Sequence, residues 1–205
     1  ALDSGSPYLE GITLERLKRE RRIKVNRPAA PFAEGGFGTP SGRVEFYSEA
    51  LAAQGFDPVV EYTPPAESVD GSPELAARYP IALITPAAHH FLNSTFANLP
   101  RMMEREGAPT IYLNPVDAEA RSIRSGDWVR VFNDRGSVLL KAQVGDWSQP
   151  GVAISPSIWW SRHMPGGAGI NVLTLDQPAD MGGGASFHTN LVQVERADPP
   201  GQPSQ

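Results

Sequence analysis

A mainly β unit with short helices, its strands closing into a barrel, is predicted for residues 79–196. Three observations carry the prediction. First, 20 Gly and 20 Pro in 205 residues make nearly a fifth of the chain, which favours short strands and many turns over long helices. Second, "DWVRVFNDRGSVLLKAQV" reads as a hairpin: Val129 and Val131 alternate, "NDRG" turns, and Val138, Leu140, Ala142 and Val144 alternate back. Third, the other strand-like runs are short, and together with the hairpin they bring the count to six. Closing such a set into a barrel removes its exposed edges.

The elements follow in chain order. Residues 13–22 read as a short helix with Thr13 as cap and Leu14 and Leu17 on one side. "VNRPAAPFAEGGFGTPSG" is Pro/Gly-rich and extended. "GRVEFYS" alternates, with Val44 and Phe46 on one face, and predicts a strand. "SEALAAQGF" predicts a helix from the Ser48 cap to Gly55. Residues 57–79 form a proline-punctuated connector.

From Tyr79 the pattern changes. "IALI" is a buried strand, followed by the loop "TPAAHHFLNST". A helix is predicted over 96–106, then the strand "TIYLN". Asn114 is a good N-cap, Pro115 takes the favoured first helical position, and Asp117 falls in the first turn. After the hairpin come the strand "GVAIS", the loops "MPGGAGINVLT" and "DMGGGASFH", and the closing strand "NLVQVE". Loops of that length in a compact domain usually carry function. The expected organisation is a partly helical remnant of a preceding domain (1–30), an approach segment and linker (31–78), the barrel (79–196) and a disordered tail (197–205).

Composition limits the function. A net charge of −5 argues against nucleic acid as a partner. With no cysteine, this chain has no disulfide, thiolate metal site or cysteine nucleophile, and its compartment stays open. No apolar run approaches the ~20 residues needed to cross a bilayer, so no membrane insertion by this chain is expected. The N-terminus lacks the apolar centre of a signal peptide and reads as a cut through a longer protein.

The four histidines, His89, His90, His163 and His188, show neither H-x-x-x-H nor H-x-H spacing, so no metal site is expected. There is no G-x-S-x-G, and neither "GGAGINV" nor "GGGAS" completes a nucleotide-binding motif, so no catalytic residue is expected either. "NPVDAEA" is first a helix cap. Its free N–H groups and the Asp117 carboxylate could also meet the adjacent N1–H and N2–H₂ donors of a guanine. Of Trp159 and Trp160, adjacent on an extended segment, one is expected to pack inward and the other to face outward, where an indole can stack on a flat heterocycle. Asn171 in "GINVLT" offers an amide that donates and accepts. "HHFLNST" reads as a ligand-gripping loop, with His90 turned to the ligand and His89 to its own domain.

Taken in order, these pieces resemble the C-terminal part of the molybdopterin oxidoreductases of the dimethyl sulfoxide reductase type. The likeness runs from Phe32 to Arg196 through "FGTPSGRVEFYSEALAAQGFDPVVEY", "YPIALITPAAHHFLNST", "YLNPVDAEARSIRSGDWVRVFNDRGSVLLKAQV", "PGVAISPSIWW", "GINVLT" and "GGGASFHTNLVQVE". The resemblance implies a six-stranded double-psi β-barrel that binds bis-molybdopterin guanine dinucleotide, with molybdenum or tungsten. By the same resemblance Thr85, Ala87, His90, Asn93 and Ser94 line phosphate or pterin groups, and Asn114 and Asp117 face the guanine. Trp159, Asn171, Thr174 and His188 are placed on the pterin side. Relatives often carry Gly-Arg after the first-strand Thr. Pro86-Ala87 stands there in this chain, so no charge-assisted contact to the pyrophosphate is expected from that spot.

The resemblance further implies partners: the preceding catalytic domains of the same polypeptide and an electron-transfer subunit. The metal ligand and any 4Fe–4S cluster would come from those preceding domains, and the isolated chain should be inactive. Two other readings stay open on the residues alone: a barrel acting as an interaction or substrate-adaptor module, and a small hydrolase or decarboxylase using His89, His90 or His188. The substrate is not legible.

Overall fold

The computed structural model describes residue 2 and residues 4–201. It divides into two compact units, Ala1–Tyr62 and Thr63–Gln205. In the first, α1 (Leu14–Glu20) starts as expected, with the Thr13 hydroxyl accepting from the Arg16 N–H at 3.1 Å. The next helix, α2 (Glu49–Ala53), is capped by Ser48, and Gly55 follows it with φ +83°. The strand expected over 42–48 does not form. Val44 and Phe46 are 67% and 89% exposed, and none of the ladders among the described residues includes this segment. Alternation alone leaves the backbone groups of a strand unpaired.

The second unit is the barrel. Its strands are β1 (Ile81–Ile84), β2 (Thr110–Leu113), β3 (Trp128–Phe132), β4 (Ser137–Val144), β5 (Val152–Ile154) and β6 (Asn190–Arg196). They close in the order β1-β5-β2-β4-β3-β6. The pairs β1/β5 and β2/β4 are parallel; β2/β5, β3/β4, β3/β6 and β1/β6 are antiparallel. This is the six-stranded double-psi barrel that the resemblance implied. The predicted hairpin is β3–β4, with Trp128 opposite Lys141 and Phe132 opposite Ser137.

Alternation decides which side chains fill the barrel. Val129, Val131, Val138, Leu140 and Ala142 are all at most 2% exposed, and Ile81, Leu83, Ile111, Val192 and Val194 join them from the other strands. Full burial contributes about 1.5–3 kcal/mol per aliphatic side chain, so this single core holds the closed sheet together.

Among the described residues, three short α-helices decorate the barrel. One, α3 (Pro73–Arg78), lies inside the segment read as a connector; Pro73 opens it, and Ala76 packs with Tyr79 and Leu191. The helix expected over 96–106 is shorter: α4 spans Pro100–Glu106. Phe96 sits at φ +72°, outside helical geometry, and Pro100 has no N–H to give to a preceding turn. The third, α5 (Pro115–Glu119), starts as predicted from the Asn114 cap. Ala197 continues from β6 with its N–H donating to the Trp128 carbonyl at 2.9 Å. Part of the expected tail, 202–205, lies outside the described residues.

Candidate ligand-binding cavity at the barrel mouth

Because β1 and β5 run parallel and β6 antiparallel to β1, the C-terminal ends of the first two meet the N-terminal end of the third. The register puts Ile84 beside Ile154 and Leu83 beside Asn190. Two connections, the one leaving β1 and the long one from β5 to β6, border a cavity of about 700 Å³. Thr85, Pro86, Ala87 and Asn93 line it from the β1 exit, and Ser157 and Ile158 from the β5 exit. Asn171, Thr174 and Asp176 face it from the segment after the glycines, and Phe187 and His188 from the approach to β6.

The functional groups here are mostly amides and hydroxyls, each able to donate and accept. Asp176 is the one carboxylate in the lining, and no Lys or Arg belongs to it. Asn93, in the left-handed region at φ +51°, turns the β1 loop back toward its start. The Thr85 N–H reaches His188 Nδ1 in a long contact of 3.5 Å. Phe187, 51% exposed, lies at the rim with its ring centroid 4.4 Å from that of His188.

Six of the eleven expected site residues therefore share one cavity: Thr85, Ala87, Asn93, Asn171, Thr174 and His188. The other five are placed differently. His90, expected to turn to the ligand, turns to its own domain: its backbone N–H and its Nδ1 both engage Glu106 Oε2, at 2.9 and 2.8 Å. A carboxylate only accepts, so Nδ1 carries the proton. His89 is the exposed member of the pair. The two rings also lie edge to face with centroids 4.9 Å apart, because the backbone turns there instead of running extended.

Of the two tryptophans, the one that the resemblance put on the pterin side is the one that packs inward. Trp159 is buried, 6% exposed, with its ring edge to face against Phe91 at 5.0 Å. Trp160 is the half-buried one, and its Nε1 donates to the Ser94 carbonyl at 2.7 Å. Ser94 thus meets Trp160 through its backbone. Burying a flat apolar ring gains more than exposing it, and the Phe91 neighbourhood selects which indole goes in.

Asn114 and Asp117 are spent largely on the barrel itself. Asn114 is 8% exposed; its Oδ1 accepts from the Val116 N–H at 3.0 Å and its Nδ2 donates to the Ser148 carbonyl at 2.7 Å. Asp117 Oδ2 accepts from the Gly151 N–H at 2.7 Å, while Oδ1 lies 3.9 Å from an Arg121 nitrogen. Among the described residues no group of three or more His, Asp or Glu forms a metal-ligating cluster.

Sequence reasoning missed Ser157, Asp176 and Phe187. Asp176 stands two residues after Thr174 in a loop already singled out for its length, and that was the available signal. Ser157 had none, because only the pairing of β1 with β5 brings it under Thr85.

A closed barrel with a cavity at its mouth, where a few amides and hydroxyls stand among apolar side chains, is the architecture of a small-molecule-binding domain. Residues 81–191, more than half of the chain, match the family model described as "Molydopterin dinucleotide binding domain". The chain belongs to that family. It is 35% identical over 93% of its length to the probable oxidoreductase YoaE of Bacillus subtilis, of which it spans 27%. It is 37% identical over 77% of its length to the dimethyl sulfoxide reductase DmsA of Escherichia coli, of which it spans 21%. The chain thus spans about a quarter of the length of these relatives. Among solved structures, acetylene hydratase from Pelobacter acetylenicus superposes with a TM-score of 0.71 at 21% identity, over 92% of this chain and 28% of that one. At that identity the likeness speaks for the fold.

Proposed function

We propose that this chain is the cofactor-gripping domain of a molybdenum- or tungsten-dependent oxidoreductase. In this reading it holds bis-molybdopterin guanine dinucleotide together with other domains of the same polypeptide. The observation that carries the reading is the cavity at the barrel mouth, lined by Thr85, Asn93, Asn171, Thr174 and His188. A pterin edge alternates N–H donors with ring-nitrogen and carbonyl acceptors, and side chains that both donate and accept can match it without a fixed polarity. Asp176 adds an acceptor for adjacent N–H groups. The lining holds no cation, so the donor set fits a neutral heterocycle and does not offset a pyrophosphate, whose charge must be met elsewhere.

When bound, the group supplies redox chemistry through its metal and dithiolene sulfurs. This chain's residues supply binding and orientation. Asn171 and Thr174 would offer the ring edge a side-chain amide and a hydroxyl, His188 would offer its imidazole, and the barrel mouth would keep water from one face. The metal's protein ligand and any 4Fe–4S cluster belong, in this reading, to the other domains, and the isolated chain does not turn over substrate. Asp117 Oδ1, the oxygen that Gly151 leaves free, is the group available to a guanine.

The test uses the full-length polypeptide that carries this chain. Asn171→Ala combined with Thr174→Val is expected to remove most of the bound pterin and metal, measured as pterin fluorescence and metal content per polypeptide. Wild-type cofactor content in that double variant sinks the reading.

A further inference from the structure

The described residues include six buried polar side chains: Glu67, Asn114, Asn133, Ser155, Ser157 and Asn190. Three of them end on the backbone of the cavity walls. Ser157 Oγ donates to the Thr85 carbonyl at 3.2 Å. Asn190 Oδ1 accepts from the Leu175 N–H at 2.8 Å while its Nδ2 donates to the Phe187 carbonyl at 2.7 Å, tying two wall segments to each other. Asn133 Nδ2 donates to the Leu173 carbonyl at 3.0 Å. The fourth, Glu67, acts one step removed.

That step is Arg135, on the turn between β3 and β4. Its Nε and Nη2 both donate to the Leu173 carbonyl, at 3.2 and 2.6 Å. Its guanidinium is held in turn by Glu67, through Nη1 to Oε1 and through Nη2 to Oε2 at 3.0 Å. Glu67 Oε2 also accepts from the Leu191 N–H at 2.9 Å. A planar fork braced on one edge by a buried carboxylate has little freedom to swing. Leu173 closes the 3-10 turn Ile170–Leu173, which carries Asn171 and precedes Thr174. Such turns have poor internal hydrogen bonds; outside donors set where this one sits.

We infer that Arg135 is a positioning residue for the cavity: clamped by Glu67, it fixes the Leu173 carbonyl and through it the angle at which Asn171 and Thr174 meet a ligand. The inference rests on the cofactor reading above. Arg135 does not line the cavity, so its effect is transmitted through backbone placement. The connector that holds Glu67 is thereby part of the site's support.

The experiment compares Arg135→Met, Arg135→Lys, Glu67→Gln and Asn171→Ala in the full-length polypeptide. Hydrogen exchange is followed in cofactor-free protein, and pterin and metal content in protein expressed with cofactor. Arg135→Met is expected to speed exchange in the peptide containing 170–175 by about tenfold, to leave β3 and β4 peptides unchanged, and to lower pterin content. Arg135→Lys keeps the charge without the fork and is expected to follow it; Glu67→Gln is expected to do so more weakly. Asn171→Ala is expected to lose pterin with exchange unchanged. Unchanged exchange at 170–175 in Arg135→Met overturns the inference, as does an equal rise across the strands or a lysine variant matching wild type. Faster exchange with full pterin content, while Asn171→Ala loses it, overturns the inference and leaves the cofactor reading standing. Full content in Asn171→Ala as well removes both.

Discussion

The cap of α5 and the wall of the cavity draw on the same residue types, Asn with Asp or Thr in a loop before or after a short turn. Their bonding is opposite. At the cap, Asn114 is buried with both ends of its amide engaged, and Asp117 gives one oxygen to Gly151. At the wall, Asn171 and Asp176 are exposed, and the backbone beneath them is held by other residues, Asn133, Arg135 and Asn190. A polar group whose partners are all internal serves stability. One whose support is delegated to neighbours keeps its own lone pairs and protons for a ligand.

Substitutions can break or sharpen that contrast. The largest effect is expected beneath the wall. Asn190→Ala orphans the Leu175 N–H and the Phe187 carbonyl, and should destabilise the fold by about 3 kcal/mol in urea unfolding. A change under about 1 kcal/mol would mean that the wall does not depend on its buried brace. Next comes the cap. Asp117→Ala leaves the Gly151 N–H without its acceptor and should cost about 1–2 kcal/mol, with Asp117→Asn recovering part of it. If the alanine variant also loses cofactor while remaining folded, the cap serves both purposes and the contrast is softer than drawn.

A smaller shift is expected at the exposed wall. Asn171→Ala should change unfolding free energy by no more than about 0.5 kcal/mol, and a larger loss would make Asn171 a structural residue like Asn114. The smallest effect is expected at a pair that touches neither the cap nor the cavity lining. The Asp134 carboxylate accepts the Tyr79 hydroxyl proton at 2.6 Å, and this, with burial and the carboxylate's charge, raises the Tyr79 pKa above the ordinary tyrosine value. The neutral phenol is the favoured form, so its contribution is complete below the unfolded-state value and fades as pH rises through the raised one. Phenolate absorbance should show Tyr79 ionising late, and Asp134→Asn should bring it earlier.

Much of the barrel was legible in the sequence, because a strand filling a core must alternate and a helix end must be capped. Val129, Val131, Val138, Leu140 and Ala142 announce one face, and Asn114-Pro115 announces a helix start. "GRVEFYS" alternated as well, yet it forms no strand among the described residues. Alternation records what a segment would bury and carries no record of a partner. The α3 helix was hidden by the prolines around it, one of which opens it.

The site was legible in part. The β1 loop and the "GINVLT" segment stood out for their length and their small polar residues, and both line the cavity. The histidine pair was read the wrong way round, and which of the two tryptophans goes inward was left open by the residues themselves. Neighbouring side chains are equivalent in a linear pattern, and what separated them was Glu106 arriving from α4 and Phe91 from its own loop. The sequence by itself determined the element types, the apolar face of each strand and the presence of a polar loop after β1, since these depend on local propensity and short-range periodicity. Tertiary structure alone decided which polar groups stay free, because that depends on contacts between residues far apart in the chain, such as Glu67 with Arg135 and Asn133 with Leu173.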